Sequence, residues 1–179
     1  MLKRQWAQIG SRGWRFNVGT EPEFFLVKAN GGDRPHPVPH DVGGYFDFST
    51  SDEAQHVRTR LMSALDQMDL EIEMRHHELA LGQHEIDFHF ADALRTADNV
   101  VTLKYTVRAL AAQHDLIATF MHKPFFGNNG PGMHTHQSIF DSKGRNVFLD
   151  ADAPLFALKG DVPIHGRPAD ARTCAHRDC

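Results

Sequence analysis

Closely spaced glutamates and histidines are the residues of this sequence best suited to metal chemistry. Glu21 and Glu23 form an E-x-E pair in an apolar segment. Since side chains alternate along a strand, an extended conformation places both carboxylates on one face, a few ångströms apart. Two like charges at that distance need a cation between them or solvent around them. A lone E-x-E pair is more typical of a solvated strand face, so this pair by itself does not predict a site.

A second acidic group lies in HHELALGQHE, residues 76–85. Glu78 and Glu85 are seven residues apart, an odd spacing that cannot bring both to one face of a single strand. Gly82 permits a turn or bulge between them, after which both carboxylates can face the same cleft. From Glu85 onward polar and apolar residues alternate, and a sheet with one polar, wet face is the alternative interpretation.

A glycine-rich segment, residues 127–138, carries two histidines, His134 and His136. Period-two alternation places both imidazoles on one strand face, directly after the loop. Such a loop lets backbone N–H groups approach an anionic ligand closely. A lone H-x-H is more often a surface pair than a ligand pair, and that interpretation stays open here.

Together, these segments place four glutamates and one histidine on strands of what is expected to be one sheet. They are Glu21, Glu23, Glu78, Glu85 and His134. Carboxylate-dominated sites suit Mg²⁺ or Mn²⁺, whereas zinc draws more His and Cys. Two such ions side by side support phosphoryl transfer. The sequence contains no Walker A pattern, so a nucleotide would bind without a P-loop. The residues alone predict a metal-dependent enzyme.

The elements that must position these side chains are predicted from hydrophobic periodicity. Strands are predicted over residues 16–28, 45–48, 70–74, 84–90, 116–121, 133–140 and 146–149, the last two as a hairpin around Ser142-Lys143-Gly144. Helices are predicted over residues 2–9, from Ser51 to Met68, and over residues 91–114. Hairpin-joined strands interrupted by two long helices predict an α+β fold, an antiparallel β-sheet with helices packed on one face.

Composition and charge exclude several other functions. The chain has 179 residues, a net charge of -4 and a pI near 6.3, which give no electrostatic reason to expect nucleic acid or an anionic membrane as partner. No apolar run is long enough for a transmembrane helix, and the first residues lack a signal-peptide core. Both cysteines, Cys174 and Cys179, lie in the last six residues, so we expect a reducing, cytoplasmic location.

Four segments, in this order, resemble glutamine synthetase of the bacterial type I class. They are NVGTEPEFFLVK, HHELALGQHEIDF, ADALRTADNVVTLKY and ATFMHKPFFGNNGPGMHTHQS. The resemblance covers residues 1–155 and implies a partial glutamine synthetase catalytic domain, its central fragment. It implies one metal site at Glu23, Glu78 and Glu85. A second site at Glu21 and His134 is incomplete, because its remaining carboxylate comes from a later strand that this sequence lacks.

The resemblance also implies ligand contacts. Asn129 and Gly130 match positions that hold substrate glutamate, and the nucleotide-binding positions are Glu73, Phe90, His136 and Ser138. For Phe90 the alternation with Ile86 and Phe88 favours a core residue, so a core role and a base-stacking role both stay open here. Pro131 departs from the family pattern, which has Ser there, and removes a backbone donor from the loop.

The reaction that the resemblance implies is ATP-dependent ligation of ammonia to the γ-carboxylate of glutamate through γ-glutamyl phosphate. It implies two Mg²⁺ or Mn²⁺ sites, ATP as co-substrate, glutamate and ammonia as ligands, and a homo-oligomeric ring. We expect no nucleic-acid or membrane partner, and no activity from this chain alone. Two alternatives remain: a glutamate–amine ligase of the same family, and a non-catalytic metal-binding remnant.

The last residues follow no periodic pattern. Reading the possible codons of residues 166–175 one base forward permits a run that resembles a family helix. The sequence therefore predicts two regions: residues 1–155 as the partial catalytic domain, and residues 156–179 as an irregular tail, frameshifted and disordered.

Overall fold

The computed structural model of this chain describes residues 1–29, 37–47 and 53–149, without the side chains of residues 53 and 54. The expectations for residues 156–179 lie outside the described residues. The described residues divide into two units, one within residues 18–137 and one of residues 1–17 with residues 138–149.

One antiparallel sheet organises the larger unit, and its long central strand is β1. The strands are β1 (Arg15–Lys28), β2 (Ile72–His77), β3 (Gln83–Phe88), β4 (Ala91–Asp92), β5 (Leu116–Thr119) and β6 (Met133–Phe140). Their order is β2-β3-β1-β4, and β5 and β6 also pair with β1, which makes six strands among the described residues. The long strand β1 therefore pairs directly with every other strand of this sheet except β2.

Two helices, α2 (Glu53–Asp66) and α3 (Ala93–Ala112), pack on one face of this sheet. Alternate residues of β1, Phe24 and Leu26, belong to the same core cluster as residues of both helices. The intervening residues, Phe25 and Val27, belong to a separate small cluster. The main core contains Phe24, Leu26, Val57, Leu61, Leu65, Leu70, Ile86, Phe88, Leu103, Val107, Ala111, Leu116 and Ala118. The predicted fold class, an antiparallel sheet with helices on one face, is confirmed.

The β2–β3 hairpin contains the predicted turn at Gly82. Gly82 has φ +72°, and a Cβ there would lie 2.8 Å from the Leu26 carbonyl oxygen. Both conditions favour glycine, because other residues rarely adopt this backbone and have no space for a side chain. In β2, pairing is irregular between Ile72 and Met74, so Glu73 lies at a β-bulge.

Several predicted boundaries differ from the structure. The strand predicted over 84–90 ends at Phe88, and the helix predicted from Ala91 begins two residues later. Asp92 is its N-cap, and its side chain accepts a hydrogen bond from the Leu94 N–H at 3.0 Å. Phe90 therefore lies outside the strand and is 51% exposed, so the core alternative for this residue is wrong and base stacking stays a prediction.

The strand predicted over 45–48 is also wrong within the described residues. Tyr45 and Phe46 form a turn, and Phe46 has φ +55°; Phe48 and Ser51 lie outside the described residues. In the smaller unit, α1 (Leu2–Gly10) buries no residue. The predicted hairpin after β6 is reduced to a bridge between Phe140 and Asn146, which closes the turn containing Gly144. In the described part of the chain, no helix has the length and apolar character to cross a membrane.

Candidate metal centre

Strands β1 and β3 bring the predicted glutamates together. Glu23 and Glu85 are directly paired across the two antiparallel strands, so their side chains leave the same face. Glu21 lies two residues before Glu23 and shares that face. Ligand atoms of Glu21, Glu85 and His134 all lie within 4.8 Å of one another. The structure thus places Glu85 and His134 beside Glu21, although they follow it by 64 and 113 positions in the sequence (85 − 21 and 134 − 21).

Glu78 joins this group through His76, which pairs with Glu85 across β2 and β3. The His76 Nε2 lies 2.8 Å from Glu78 Oε1 and 3.4 Å from Glu85 Oε1. Glu78 follows the end of β2 and its other carboxylate oxygen accepts the Leu79 N–H at 3.2 Å. The turn at Gly82 therefore does what the sequence predicted, because it returns Glu85 to the face towards which Glu78 is held.

Glu23 is fixed by two neighbours that the sequence did not indicate. Gln83 Nε2 donates to Glu23 Oε2 at 2.5 Å, and both side chains are buried. The Glu23 N–H donates to the Gly132 carbonyl at 3.1 Å. A Cβ on Gly132 would lie 3.3 Å from Glu23 Oε1. Gln83 and the loop before β6 therefore set the orientation of this carboxylate.

A fifth carboxylate, Asp87, lies on the same face two residues beyond Glu85. Ligand atoms of His76, Glu85 and Asp87 lie within 4.8 Å of one another, and Asp87 Oδ1 is buried without a hydrogen-bond partner among the described residues. The alternation after Glu85 placed Asp87 on the polar face, but it was not predicted as a site residue. We call Glu21, Glu23, Glu78, Glu85 and Asp87 the carboxylate cluster.

The charges of this cluster are not compensated within it. Burial, followed by repulsion from Asp87, Glu78, Glu23 and Glu21, raises the pKa of Glu85 from 4.5 to about 9. Burial and the charge of Glu21 likewise raise the pKa of Asp87. Only a proton or another cation relieves such repulsion. The donor set of carboxylates with imidazole suits a divalent metal, so these residues fit the Mg²⁺ or Mn²⁺ that the sequence predicted.

His134 and His136 both approach Glu21 from β6. His136 Nε2 lies 2.6 Å from Glu21 Oε1, and His134 Nδ1 lies 3.4 Å from Glu21 Oε2. Their shared strand face is as predicted. His136, predicted to contact nucleotide, is thus in direct contact with a predicted metal ligand.

The predicted glutamate-binding positions lie in the loop between β5 and β6. Asn129 is exposed, whereas the Gly130 carbonyl oxygen is 3.5 Å from Gln83 Nε2, its hydrogen-bond donor. A Cβ on Gly130 would collide with the His122 carbonyl oxygen. Pro131 is buried. The loop therefore reaches the carboxylate cluster through Gln83.

The remaining predicted nucleotide positions are more dispersed. Glu73 is exposed on β2, and its charge adds to the repulsion that raises the pKa of Asp87. Phe90 stacks on His89, with ring centroids 4.7 Å apart, and borders a cavity of about 460 Å³ that is also lined by Arg95 and Asn99. Ser138 is half-buried in β6 and belongs to the smaller unit.

Comparison with known proteins identifies the family of this chain. A sequence profile of the family described as "Glutamine synthetase, catalytic domain" matches residues 1–158. The chain belongs to this family. It is 47% identical over 152 residues to the glutamine synthetase of Halobacterium salinarum, covering 85% of this chain and 34% of the relative. For the glutamine synthetase of Methanosarcina mazei the values are 49% over 154 residues, 86% and 34%.

Bacterial glutamine synthetases are similarly close: that of Thermus thermophilus is 47% identical over 154 residues, with 86% and 34% coverage. Archaeal and bacterial relatives are thus equally similar, and the comparison does not confirm the bacterial type I class. The chain spans about a third of the length of these curated relatives.

Solved structures share the fold of this chain. A structure titled "GmaS/ADP complex-Conformation 1" matches with a TM-score of 0.76 and 30% identity, covering 89% of this chain and 36% of that one. The glutamine synthetase of Plasmodium falciparum matches with a TM-score of 0.75 and 24% identity, covering 88% and 36%, a similarity that concerns the fold alone.

Proposed function

We propose that this chain provides the metal-binding surface for ATP-dependent ligation of ammonia to the γ-carboxylate of glutamate. The carboxylate cluster is the observation that carries this proposal. Glu21, Glu23 and Glu85 face one another across β1 and β3, and burial with neighbouring carboxylates raises the pKa of Glu85 to about 9, so a proton or a bound cation must offset their charge. Family membership then favours this reaction over other metal-dependent reactions.

In the proposed reaction a γ-carboxylate oxygen of glutamate attacks the γ-phosphorus of ATP, and ADP leaves. Ammonia next attacks the acyl carbon of γ-glutamyl phosphate, and phosphate leaves. Bound divalent ions would supply neutralisation of the charge on the transferred phosphoryl group. Glu23, Glu78 and Glu85 would hold one ion, and Glu21 with His134 would hold the other.

The chain's own residues contribute orientation around these groups. Gln83 Nε2 donates both to the Glu23 carboxylate and to the Gly130 carbonyl. It therefore links a proposed metal ligand to the proposed glutamate-binding loop. His76 lies between Glu78 and Glu85 and keeps their carboxylates from separating. Asn129 and Gly130 would bind glutamate at this loop.

Nucleotide binding is proposed at the cavity beside Phe90 in the larger unit, with Glu73 and His136 as further contacts. Ser138, in the smaller unit, is proposed separately as a nucleotide-contacting residue. The cavity volume, about 460 Å³, suits a ligand of drug or nucleobase size, and the Phe90 ring is exposed for stacking. A structure with 30% identity is titled as an ADP complex, which supports a nucleotide of this kind.

We also propose the class, cellular location and assembly of the protein. The resemblance of the four segments favours the bacterial type I class, and family membership favours a cytoplasmic, ring-forming homo-oligomer. Because the chain spans about a third of its relatives, and the second metal set comprises only Glu21 and His134, we expect metal and nucleotide binding without turnover by this chain alone.

Calorimetric titration of the full chain with Mn²⁺ and a non-hydrolysable ATP analogue tests the proposal. We expect Mn²⁺ to bind, and Phe90→Ala to weaken the analogue about tenfold, since base–aromatic stacking contributes about 1–3 kcal/mol. Phe126→Ala is the matched control, because Phe126 is a fully exposed ring away from that cavity's lining. No nucleotide binding at millimolar concentration would favour the non-catalytic alternative.

A further inference from the structure

A second ionisable group lies beside the carboxylate cluster and centres on Asp41. The segment 37–47 is held against β1 by backbone hydrogen bonds, from the Lys28 N–H to the Val38 carbonyl at 2.9 Å and from the His40 N–H to the Leu26 carbonyl at 3.2 Å. This places the Asp41 side chain, only 10% exposed, against the β2–β3 hairpin. The Asp41 hub consists of Asp41 with His40, His77, His84 and Arg58.

Asp41 bonds to the turn between the metal ligands at two points. Its Oδ1 accepts the Gly82 N–H at 2.7 Å. The His77 Nε2 lies 3.2 Å from Oδ1 and 3.1 Å from Oδ2. His77 immediately precedes Glu78, and Gly82 lies three residues before Glu85, so one carboxylate holds both ends of the turn.

His77 extends this hold to Glu78. Its Nδ1 lies 2.7 Å from the Glu78 carbonyl oxygen, which can only accept, so Nδ1 carries a hydrogen. The ring is therefore fixed between the Glu78 backbone and the Asp41 carboxylate. A Cβ on Gly43 would lie 2.8 Å from the ring, so the loop also packs closely over it.

The hub itself does not suit a metal ion, although His40, Asp41 and His84 offer ligand atoms within 4.8 Å. Arg58 Nη1 lies 2.9 Å from His84 Nδ1 and can only donate. His84 Nδ1 is therefore the acceptor, and Nε2, which faces Asp41 at 3.9 Å, carries the hydrogen in the neutral ring. Neither His84 nitrogen is therefore free to ligate a cation, because Nδ1 accepts from the Arg58 guanidinium and Nε2 carries a hydrogen. We therefore treat the hub as structural.

We propose that Asp41 is a positioning residue for the metal centre, which fixes the turn 78–83 so that Glu78 and Glu85 face the same cation. Glu78 N–H donates to the Gln83 carbonyl at 2.8 Å, and the Ala80 N–H donates to Gln83 Oε1 at 3.1 Å. The turn that Asp41 holds thus also orients Gln83, the partner of Glu23. This inference rests on the proposed function, since it assumes that the cluster binds a metal.

Mn²⁺ affinity of the full chain, measured by calorimetry, tests the proposal. Asp41→Ala is expected to weaken Mn²⁺ binding about 10–100-fold, the range for loss of an outer-shell partner. Asp41→Asn is expected to restore most of the affinity. Its amide oxygen can accept the Gly82 N–H, and its NH₂ can donate to Nε2 of neutral His77. Asp98→Asn, on the exposed surface of α3, is the matched control for the lost charge.

Hydrogen exchange of the Gly82 amide gives a readout that needs no metal, and in the unmutated chain and Asp41→Asn it does not depend on whether the Ala variant folds. If Asp41 fixes the turn, this amide exchanges in the unmutated chain and in Asp41→Asn as slowly as amides of α3. In Asp41→Ala it exchanges faster while α3 stays protected. Fast Gly82 exchange in the unmutated chain, or unchanged Mn²⁺ affinity in a folded Asp41→Ala, overturns the proposal. Absence of Mn²⁺ binding by the unmutated chain defeats the proposed function instead, and the Gly82 amide still decides whether Asp41 holds the turn.

Discussion

The carboxylate cluster and the Asp41 hub lie on either side of one hairpin and differ in charge balance. His84 and Glu85 are consecutive in β3, so their side chains leave opposite faces of the sheet. In the cluster, burial and neighbouring carboxylates raise the pKa of Glu85 to about 9. In the hub, burial alone raises the pKa of Asp41. The hydrogen bond from His77 and the charges of His40 and His84 outweigh that effect and hold it well below its ordinary value.

This difference in charge balance suits a structural role for the Asp41 carboxylate and the proposed metal binding for the carboxylate cluster. The hub contains its own cationic partners, Arg58 and His77. Burial disfavours protonation of His77, but hydrogen bonds to Asp41 and the Glu78 carbonyl outweigh it and raise the His77 pKa. Burial and the Arg58 charge lower the pKa of His84. Among the described residues, the ion pairs of the cluster come from imidazoles alone. A buried carboxylate group left so short of positive charge is typical of a metal site.

Removal of a cluster carboxylate should give the largest effect. Glu85→Gln keeps the side-chain volume but removes a ligand charge, so we expect Mn²⁺ affinity to fall by more than about 100-fold, beyond the usual loss for outer-shell partners. Calorimetric titration measures it, with Asp98→Asn as the control. Equal affinities in Glu85→Gln and the unmutated chain would mean that the two regions do not differ in the way their charges suggest.

The turn that joins the two regions should be the next most sensitive point. Gly82→Ala combines a left-handed backbone with a Cβ 2.8 Å from the Leu26 carbonyl oxygen, and we expect a loss of about 2–4 kcal/mol in the free energy of unfolding. Gly127→Ala has a similar φ, +79°, with open space around it, so about 1 kcal/mol is expected. Urea denaturation measures both; equal losses would show that the close approach contributes nothing.

The pH dependence of stability should distinguish the cluster next. The pKa of Glu85 is raised in the folded state from 4.5 to about 9, so its contribution is fully present below 4.5 and is lost as pH rises through 9. The metal-free chain should therefore melt several degrees lower at the alkaline end. Mn²⁺ should reverse this trend, because it binds the ionised carboxylate. Calorimetric melting of Glu85→Gln provides the reference, and a parallel pH profile in both chains would refute the assignment.

The hub should give the smallest effect, and it has the opposite sign. The pKa of Asp41 is lowered in the folded state, so its contribution is present above 3.8 and is lost as pH falls through the lower folded value. Asp41→Asn lacks this proton linkage. The Tm difference between the unmutated chain and this variant should therefore shrink by a few degrees during acidification. A difference that stays constant in acid would remove the argument for a compensated carboxylate.

Much of the fold could be predicted from the sequence, because its main elements follow local periodicity. The apolar run from Phe24 to Val27 in β1 and the helical spacing in α3 identified both elements to within a few residues. The glutamates of the cluster were also predictable, since Gly82 explained how an odd spacing can still converge. The core alternative for Phe90 was wrong because the alternation continues in the sequence past Phe88, where the strand ends.

The hub and the supports of the cluster could not be predicted, since they depend on contacts between distant residues. Asp41 lies in a glycine-rich segment without periodicity, and its partner Gly82 is 41 positions away (82 − 41). Gln83 differs by 60 positions from Glu23 (83 − 23), and a glutamine in a strand has no pattern that indicates a carboxylate partner. Among the described residues, the second strand of the predicted hairpin after β6 is reduced to one bridge, between Asn146 and Phe140.

The contact between Gly130 and the His122 carbonyl has a consequence for how this loop evolves. No side chain fits at position 130, so purifying selection for folding alone retains the glycine there, even in a lineage that no longer binds glutamate. Asn129 is exposed and carries no such steric constraint, so it drifts as soon as binding is no longer selected. Variation at Asn129, with Gly130 as the internal standard, therefore tests across related sequences whether the loop has the proposed role in glutamate binding.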